Sequence, residues 1–248
     1  MYKFQDSAKQ REWDRLTTAD NHYFEVKVEI NNETYNESQI LELRTEWRTF
    51  REEQPSVGGC LSSELTAKIV ASSEHIPRMA QVRPYARVTD GTDHSEWMPQ
   101  GVYFIDTRAE TANDDDLPIL TIHCYDAMLK TEAEYPDTEG AWPKSDYAVV
   151  EQIADTIGVD IDERTAGVMV HGYDISPPIS YTMREVLANI GAMYAGNWVM
   201  TLEGKLLLVT LNGIPEDTSI LVNGFGDIIT FGEYEGEELS ISLVSTAV

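Results

Sequence analysis

The sequence predicts an α+β protein: an antiparallel β-barrel-like domain, then a helix-containing mixed domain, then a further β segment. Three observations predict it. Up to about residue 125 the apolar residues recur at period two in short runs separated by turn formers. Two amphipathic helical stretches with their own caps follow, and from about residue 196 strand-like runs return, punctuated by glycine.

Residues 1–20 are polar, mixed in charge and weakly helical, and read as an N-terminal arm that stays a tail unless something docks on it. In HYFEVKVEI, Phe24, Val26, Val28 and Ile30 alternate with Tyr23, Glu25, Lys27 and Glu29, the pattern of a half-buried strand. INNETYNES supplies turn residues; QILELRTEWRTF fits strand or helix, and Pro55, Gly58 and Gly59 end it. Leu65, Ala67 and Ile69 alternate with Glu64, Thr66 and Lys68, another strand runs from about Val82 to Val88, and Asp90-Gly91 turns the chain.

The most informative stretch is Trp97 to Lys130. Val102, Phe104 and Asp106 alternate with Tyr103, Ile105 and Thr107, then Leu120, Ile122 and Cys124 alternate with Ile119, Thr121, His123 and Tyr125. The two runs should pair as a hairpin around an acidic loop. Both faces carry apolar groups, so one is expected on a core and the other against a helix or another chain. Asp126 stands where an N-cap should be, before AMLK. Five or six short-turned strands by residue 125 predict closure as a barrel or sandwich.

From Asp126 to about Pro143 a short helix and the turn formers of YPDTEGAWP make a linker or crossing loop. In SDYAVVEQIADTIGV, Val149, Val150, Ile153, Ala154 and Ile157 share a helical face, with Ser145 or Asp146 as cap and Gly158 as stop. In YTMREVLANIGAMYAGNW, Thr182 and Glu185 form a capping box, and Val186, Leu187, Ile190, Met193 and Tyr194 form the stripe. NWVMTLEGKLLLVTL reads as strand, Glu203-Gly204 turn and strand, with Trp198 and Met200 against Leu206 and Leu208. The boundaries that follow are an arm at 1–20, a β domain at 21–125, a helical and mixed domain at 126–211, and a C-terminal β segment at 212–248 that begins a second β unit.

Charge narrows function. Formal net charge is −25, from 43 acidic and 18 basic side chains. Such a surface repels phosphate backbones and anionic headgroups, which argues against specific nucleic-acid binding. Cys60 and Cys124 have no metal or redox spacing and read as reduced core residues. No run approaches the roughly 18 apolar residues of a membrane span, and the N-terminus has no apolar h-region. A soluble chain made without a classical secretion signal is expected.

Chemistry is sought next. The histidines, His22, His75, His94, His123 and His171, are scattered without ligand spacing. His123 beside Cys124 suggests a thiol nucleophile, but neighbours on a strand point to opposite faces. Three acidic groups, Asp114 to Asp116, Asp90 with Asp93 and Glu96, and Asp160 with Asp162 and Glu163, resemble no calcium-loop template. Solvated loop charge is the default for each. Phosphate-loop, dinucleotide and nucleophile-elbow motifs are lacking. The sequence therefore nominates no catalytic, cofactor-binding or metal residue, and no cofactor.

Several long blocks do carry a resemblance. TDGTDHSEWMPQGVYFIDTR, LTIHCYDAMLKTE and YTMREVLANIGAMYAGNWVMTLEGKLLLV, with INNETYNESQILELRTEWRTF, SVGGCLSSELTAKI and IPRMAQVRPYARVTDG, resemble a family of phage and prophage tail proteins of Gram-positive bacteria over about Asn21 to Thr230. Such proteins are similar in turn to the phage baseplate hub and to the N-terminal structural domain of tail-associated lysins. The resemblance implies a tube-forming β domain, a peripheral helical insert and a second tube-like β domain, with three copies closing a ring between tail tube and tip. It implies no enzyme, a homotrimer in contact with tail-tube, distal-tail and tip proteins, and a place in the virion tail after assembly in the host cytoplasm. The chain departs from that pattern by ending at Val248, soon after the second β unit begins. An acidic bore would let DNA pass without holding it. The alternatives are a module binding host cell-wall saccharide, for which Trp97, Trp142 and Trp198 would have to share an exposed face, and a wall-degrading hydrolase, which needs converging carboxylates or a Cys-His pair.

Overall fold

Eight strands of the first half form one curled, antiparallel sheet. They are β1 (Tyr23–Ile30), β2 (Glu33–Asn36), β3 (Ile40–Glu46), β4 (Glu64–Val70), β5 (Gln81–Thr89), β6 (Met98–Pro99), β7 (Tyr103–Ala112) and β8 (Pro118–Asp126). The hydrogen-bonded order is β2-β1-β5-β7-β8-β4-β3, with β6 added to β5. The structure, a computed structural model, describes residues 6–19, 21–31, 33–47, 56–71, 76–112, 117–136 and 139–211. Met1–Leu211 forms one compact unit. The expected β segment at 212–248 lies outside the described residues, as do His75 and the acidic loop Asp114 to Asp116.

Chain order explains the curl. β2 and β3 lie at opposite ends of the path, yet only the 3-10 turn Glu37–Gln39 separates them, so the sheet must bend until its ends meet at that corner. No ladder joins β2 to β3 among the described residues: the sheet is barrel-like and open. The stretch QILELRTEWRTF, which fitted strand or helix, is strand β3 over its Ile40–Glu46 part. Inside the curl, Val28, Ile30, Leu65, Ala67, Ile69, Val82, Tyr103, Ile105, Leu120, Ile122 and Cys124 form the first core.

The predicted hairpin is β7 with β8. Ile105 faces Cys124 and Thr107 faces His123, so Asp106 is a bulge residue and the alternation resets there. The two faces behave as expected at one end: Tyr103 and Ile105 fill the first core, while Phe104 packs on a second. Asp126 does cap the next element, a 3-10 helix Ala127–Glu132, by accepting from Met128 N–H at 3.0 Å.

The second core belongs to the helical layer. It contains β9 (Lys144–Ser145), α2 (Asp146–Ile157), α3 (Glu163–Val168), β10 (Asp174–Ile175), α4 (Met183–Met193), β11 (Gly196–Met200) and β12 (Leu206–Thr210), to use chain-order labels after a first helix α1 (Ser7–Thr17). Ser145 caps α2, and Gly158 ends it at φ +75°. Thr182 and Glu185 form the capping box of α4. Val149, Val150, Ile153, Ala154, Ile157, Val186, Leu187 and Ile190 are buried together with Trp198, Met200, Leu206 and Leu208. Met193, expected in the stripe, is exposed because α4 ends there and Gly196 starts the next strand.

Residues 56–61 tie the layers. Trp198 N–H donates to Gly59 O at 2.8 Å and Leu61 N–H to Trp198 O at 2.9 Å, a short parallel addition to β11. The buried Asn197 amide completes it, accepting from Gly59 N–H and donating to Ser56 O, both at 2.7 Å. The N-terminal arm is docked: α1, capped by Asp6, packs on β5.

Candidate functional site

The residues weighed for chemistry are spent on structure. Cys124 is buried in the first core and His123 is exposed on the other face, with its Nδ1 3.2 Å from Thr66 Oγ1, so strand geometry separates the pair. Asp90 accepts from the N–H groups of Thr92 and Asp93 at 2.9 Å, which holds its carboxyl below the usual range. Asp93 pairs with Arg15 and Glu96 with Lys9. Asp162 caps α3, and Arg164 holds it with bonds of 2.8 and 3.0 Å that keep its carboxyl low. Among the described residues no group of three or more His, Cys, Asp or Glu gathers as a metal site.

The three tryptophans do not share a face. Trp198 is 0% exposed and donates its indole N–H to Leu187 O at 2.7 Å. Trp142 packs on the second core. Trp97 lies under Arg87, 4.5 Å from its ring centroid, and Lys27, at 5.2 Å, so its ring is already occupied by cations.

One cleft of about 200 Å³ opens at the seam of the barrel and the helical layer. Val102, Phe104, Ala127 and Val159 supply apolar lining, and Arg83, Asp160, Glu203 and Lys205 supply charge of both signs. Beside it Lys130 lies 3.9 Å over the Phe104 ring and donates to Ile157 O at 2.9 Å, and burial lowers its pKa. The cleft is smaller than the several hundred Å³ of a usual ligand pocket. Asp160 and Glu203 are both exposed.

The more distinctive feature is a sheet edge. β5 pairs with β7 only at Tyr103 and Phe104, whereas β8 follows β7 as far as Ala112. Every residue from Thr107 to Ala112 is exposed, on both faces of the strand. Among the described strands β7 has β8 as its only neighbour over this length. Sequence reading found the hairpin but missed that the outer half of β7 is an edge strand while β8 stays paired with β4; the signal was present in TRAETA, which lacks the large apolar residues of the preceding VYFI. The seam cleft was also missed, because its walls are brought together from distant parts of the chain.

No family model matches the sequence, and no curated protein matches it. Among solved structures the chain is similar to the 43 kDa tail protein of prophage MuSo2 from Shewanella oneidensis, at 12% identity and TM-score 0.48, over 75% of this chain and 53% of that one. It is similar to the tail protein from Neisseria meningitidis MC58, at 10% identity and TM-score 0.49, over 75% and 51%. A chain of the half-lidded Francisella PdpA-VgrG complex is similar at 10% identity and TM-score 0.46, over 82% and 34%. The chain thus spans about half the length of the two tail proteins and about a third of the last. Likeness at this level assigns no function.

Proposed function

We propose that the chain is a structural component of a phage tail, assembling as a ring in the baseplate hub or tail tip between tube and tip, without catalysis or a cofactor. The observation that carries this reading is the exposed edge formed by the outer half of β7. From Thr107 to Ala112 β7 is an edge strand among the described strands, exposed on both faces, while β8 beside it stays paired with β4. An exposed edge strand is a template for a strand of a neighbouring chain. An open, barrel-like sheet whose ends meet without a ladder offers neighbouring copies further edges. The long sequence blocks that resemble phage and prophage tail proteins of Gram-positive bacteria supply the biological setting.

In this reading residues 21–125 are a tube-forming domain, 126–211 a peripheral helical and mixed domain, and 212–248 part of a second tube-like domain. Three copies form the ring, in contact with tail-tube, distal-tail and tip proteins. The net charge of −25 keeps passing DNA from adhering if the acids line the bore.

Light-scattering mass with negative-stain imaging tests it. The wild-type chain should run as a trimer of the 27.9 kDa chain with a central opening, and Ala109→Lys with Thr111→Lys, both exposed positions of the β7 edge, should give a folded monomer. A wild-type monomer at every concentration, alone and co-expressed with a tail-tube protein, would overturn the ring.

A further inference from the structure

The N-terminal helix is held in an unusual way. Leu16 is 0% exposed, yet it belongs to neither apolar core. Other fixings lie at its periphery. Trp13 lies 6.1 Å from the Phe24 ring, Arg15 Nη2 is 2.8 Å from Asp93 Oδ2, and Lys9 Nζ is 3.4 Å from Glu96 Oε1. Both ion pairs are solvent-exposed and therefore weak and screened by salt. At 11 residues α1 is below the length at which an isolated helix holds in water. It is ordered by the surface it sits on, and its buried Leu16 stands outside both cores.

The receiving loop, by contrast, is complete without the helix. Asp90 Oδ1 accepts from Thr92 N–H and Asp93 N–H, and Thr89 Oγ1 donates to Asp93 O at 2.7 Å. Ser95 N–H donates to Val88 O at 2.9 Å, and Val88 N–H donates to Ser95 Oγ at 3.0 Å. Asp93 and Glu96 are thus presented on a backbone fixed by its own bonds, a preformed acceptor for a helix that brings Lys9 and Arg15 to them. The acids face the arm's Lys9 and Arg15, so the charges are complementary between arm and loop.

We propose that α1 is an exchangeable strap: in an assembly of copies it leaves its own barrel and docks on the Asp93–Glu96 loop of a neighbouring copy. The contacts made in either position are identical, so exchange costs no interaction, and the balance is set by reach and by the local concentration of acceptor loops. The five residues from Thr18 to His22 span up to about 16 Å when extended, and a ring places a second loop permanently nearby. The proposal rests on the assembly reading above.

Two differently tagged chains, one carrying Lys9→Cys and the other Glu96→Cys, are co-expressed and treated with a short bis-maleimide. Cys60 and Cys124 are buried, and the wild-type chain serves as blank. Exchange gives a two-chain adduct carrying both tags in the oligomer fraction, absent from the wild-type blank. An oligomer that yields no mixed adduct, while the double variant links within one chain, overturns exchange and leaves the ring standing. A chain that is monomeric throughout overturns both.

Discussion

Asp126 and Ser63 exchange two hydrogen bonds. Ser63 N–H donates to Asp126 Oδ2 at 2.7 Å, and Asp126 N–H donates to Ser63 O at 3.2 Å. The same carboxylate accepts from Met128 N–H, so one buried side chain ends β8, starts the 3-10 helix and fixes the entry to β4. Burial pushes its pKa up to about 6, although the bonds from Ser63 and Met128 pull the other way.

That position predicts a pH dependence with a definite sign. The folded pKa stands above the ordinary 3.8, so the folded chain binds the proton more tightly, and this group's contribution is fully present below about pH 4 and lost as pH rises through about 6. The span corresponds to roughly 3 kcal/mol. Glu42, hydrogen-bonded by Lys68, and Glu185, bonded by Thr182, have lowered pKa values and act in the opposite sense. The comparison must therefore be against Asp126→Asn in urea melts from pH 4 to 7. Relative to the variant, the wild type should gain stability toward acid; a difference flat with pH would remove the assignment.

Arg184 should matter more than its surface position suggests. Its Nη1 donates to Cys60 O at 2.7 Å and its Nη2 to Met128 O at 2.9 Å and Ser62 Oγ at 3.3 Å, joining α4 to the barrel's 60–62 segment and to the 3-10 helix. Nε lies 2.7 Å from Glu132 Oε1 without the alignment of a hydrogen bond. Arg184→Met leaves two carbonyls without their charged donor, and the expected loss is about 2–4 kcal/mol. Arg184→Lys should recover part of it. Equal stability of all three chains in denaturant would show that the layers are held elsewhere.

Much of this fold could be read from local pattern, for reasons visible in particular residues. Alternation located β4 and β8 because one face of each is fully buried, and the caps Ser145, Thr182 and Asp126 announced their helices because capping is a local bond. α3 escaped notice because Asp162 looked like one more loop acid when it is the cap of a six-residue helix. The docking of α1 escaped because Asp93 and Glu96, its partners, lie some eighty residues away. Asn197 and Arg184 escaped likewise, since their bonds to residues 56–62 exist only after the two layers meet.

The two cysteines should be inert in the folded chain. Burial pushes the Cys60 and Cys124 thiols up to about 12, so at pH 8 the thiolate that reacts is on the order of 10⁻⁴ of each. Ellman's reagent should release almost no chromophore from native protein and two equivalents after denaturation. Rapid native labelling of one thiol would mean that its core opens locally.

Two glycines make opposite predictions from their surroundings. A Cβ on Gly196 would stand 2.7 Å from Val209 O and 3.0 Å from Leu208 Cδ1, where β11 and β12 are paired, and a backbone oxygen cannot move aside without disturbing the ladder. Gly196→Ala should cost about 1–3 kcal/mol. Gly167 lies inside α3 with nothing within 4 Å of the same added atom, so alanine there gains helix propensity at no steric cost. Gly167→Ala should stabilise by up to about 1 kcal/mol. Thermal and urea melts of both variants decide the matter: a neutral Gly196→Ala would mean the hairpin can slide to admit the methyl group, and a destabilised Gly167→Ala would mean α3 is not helical at that residue.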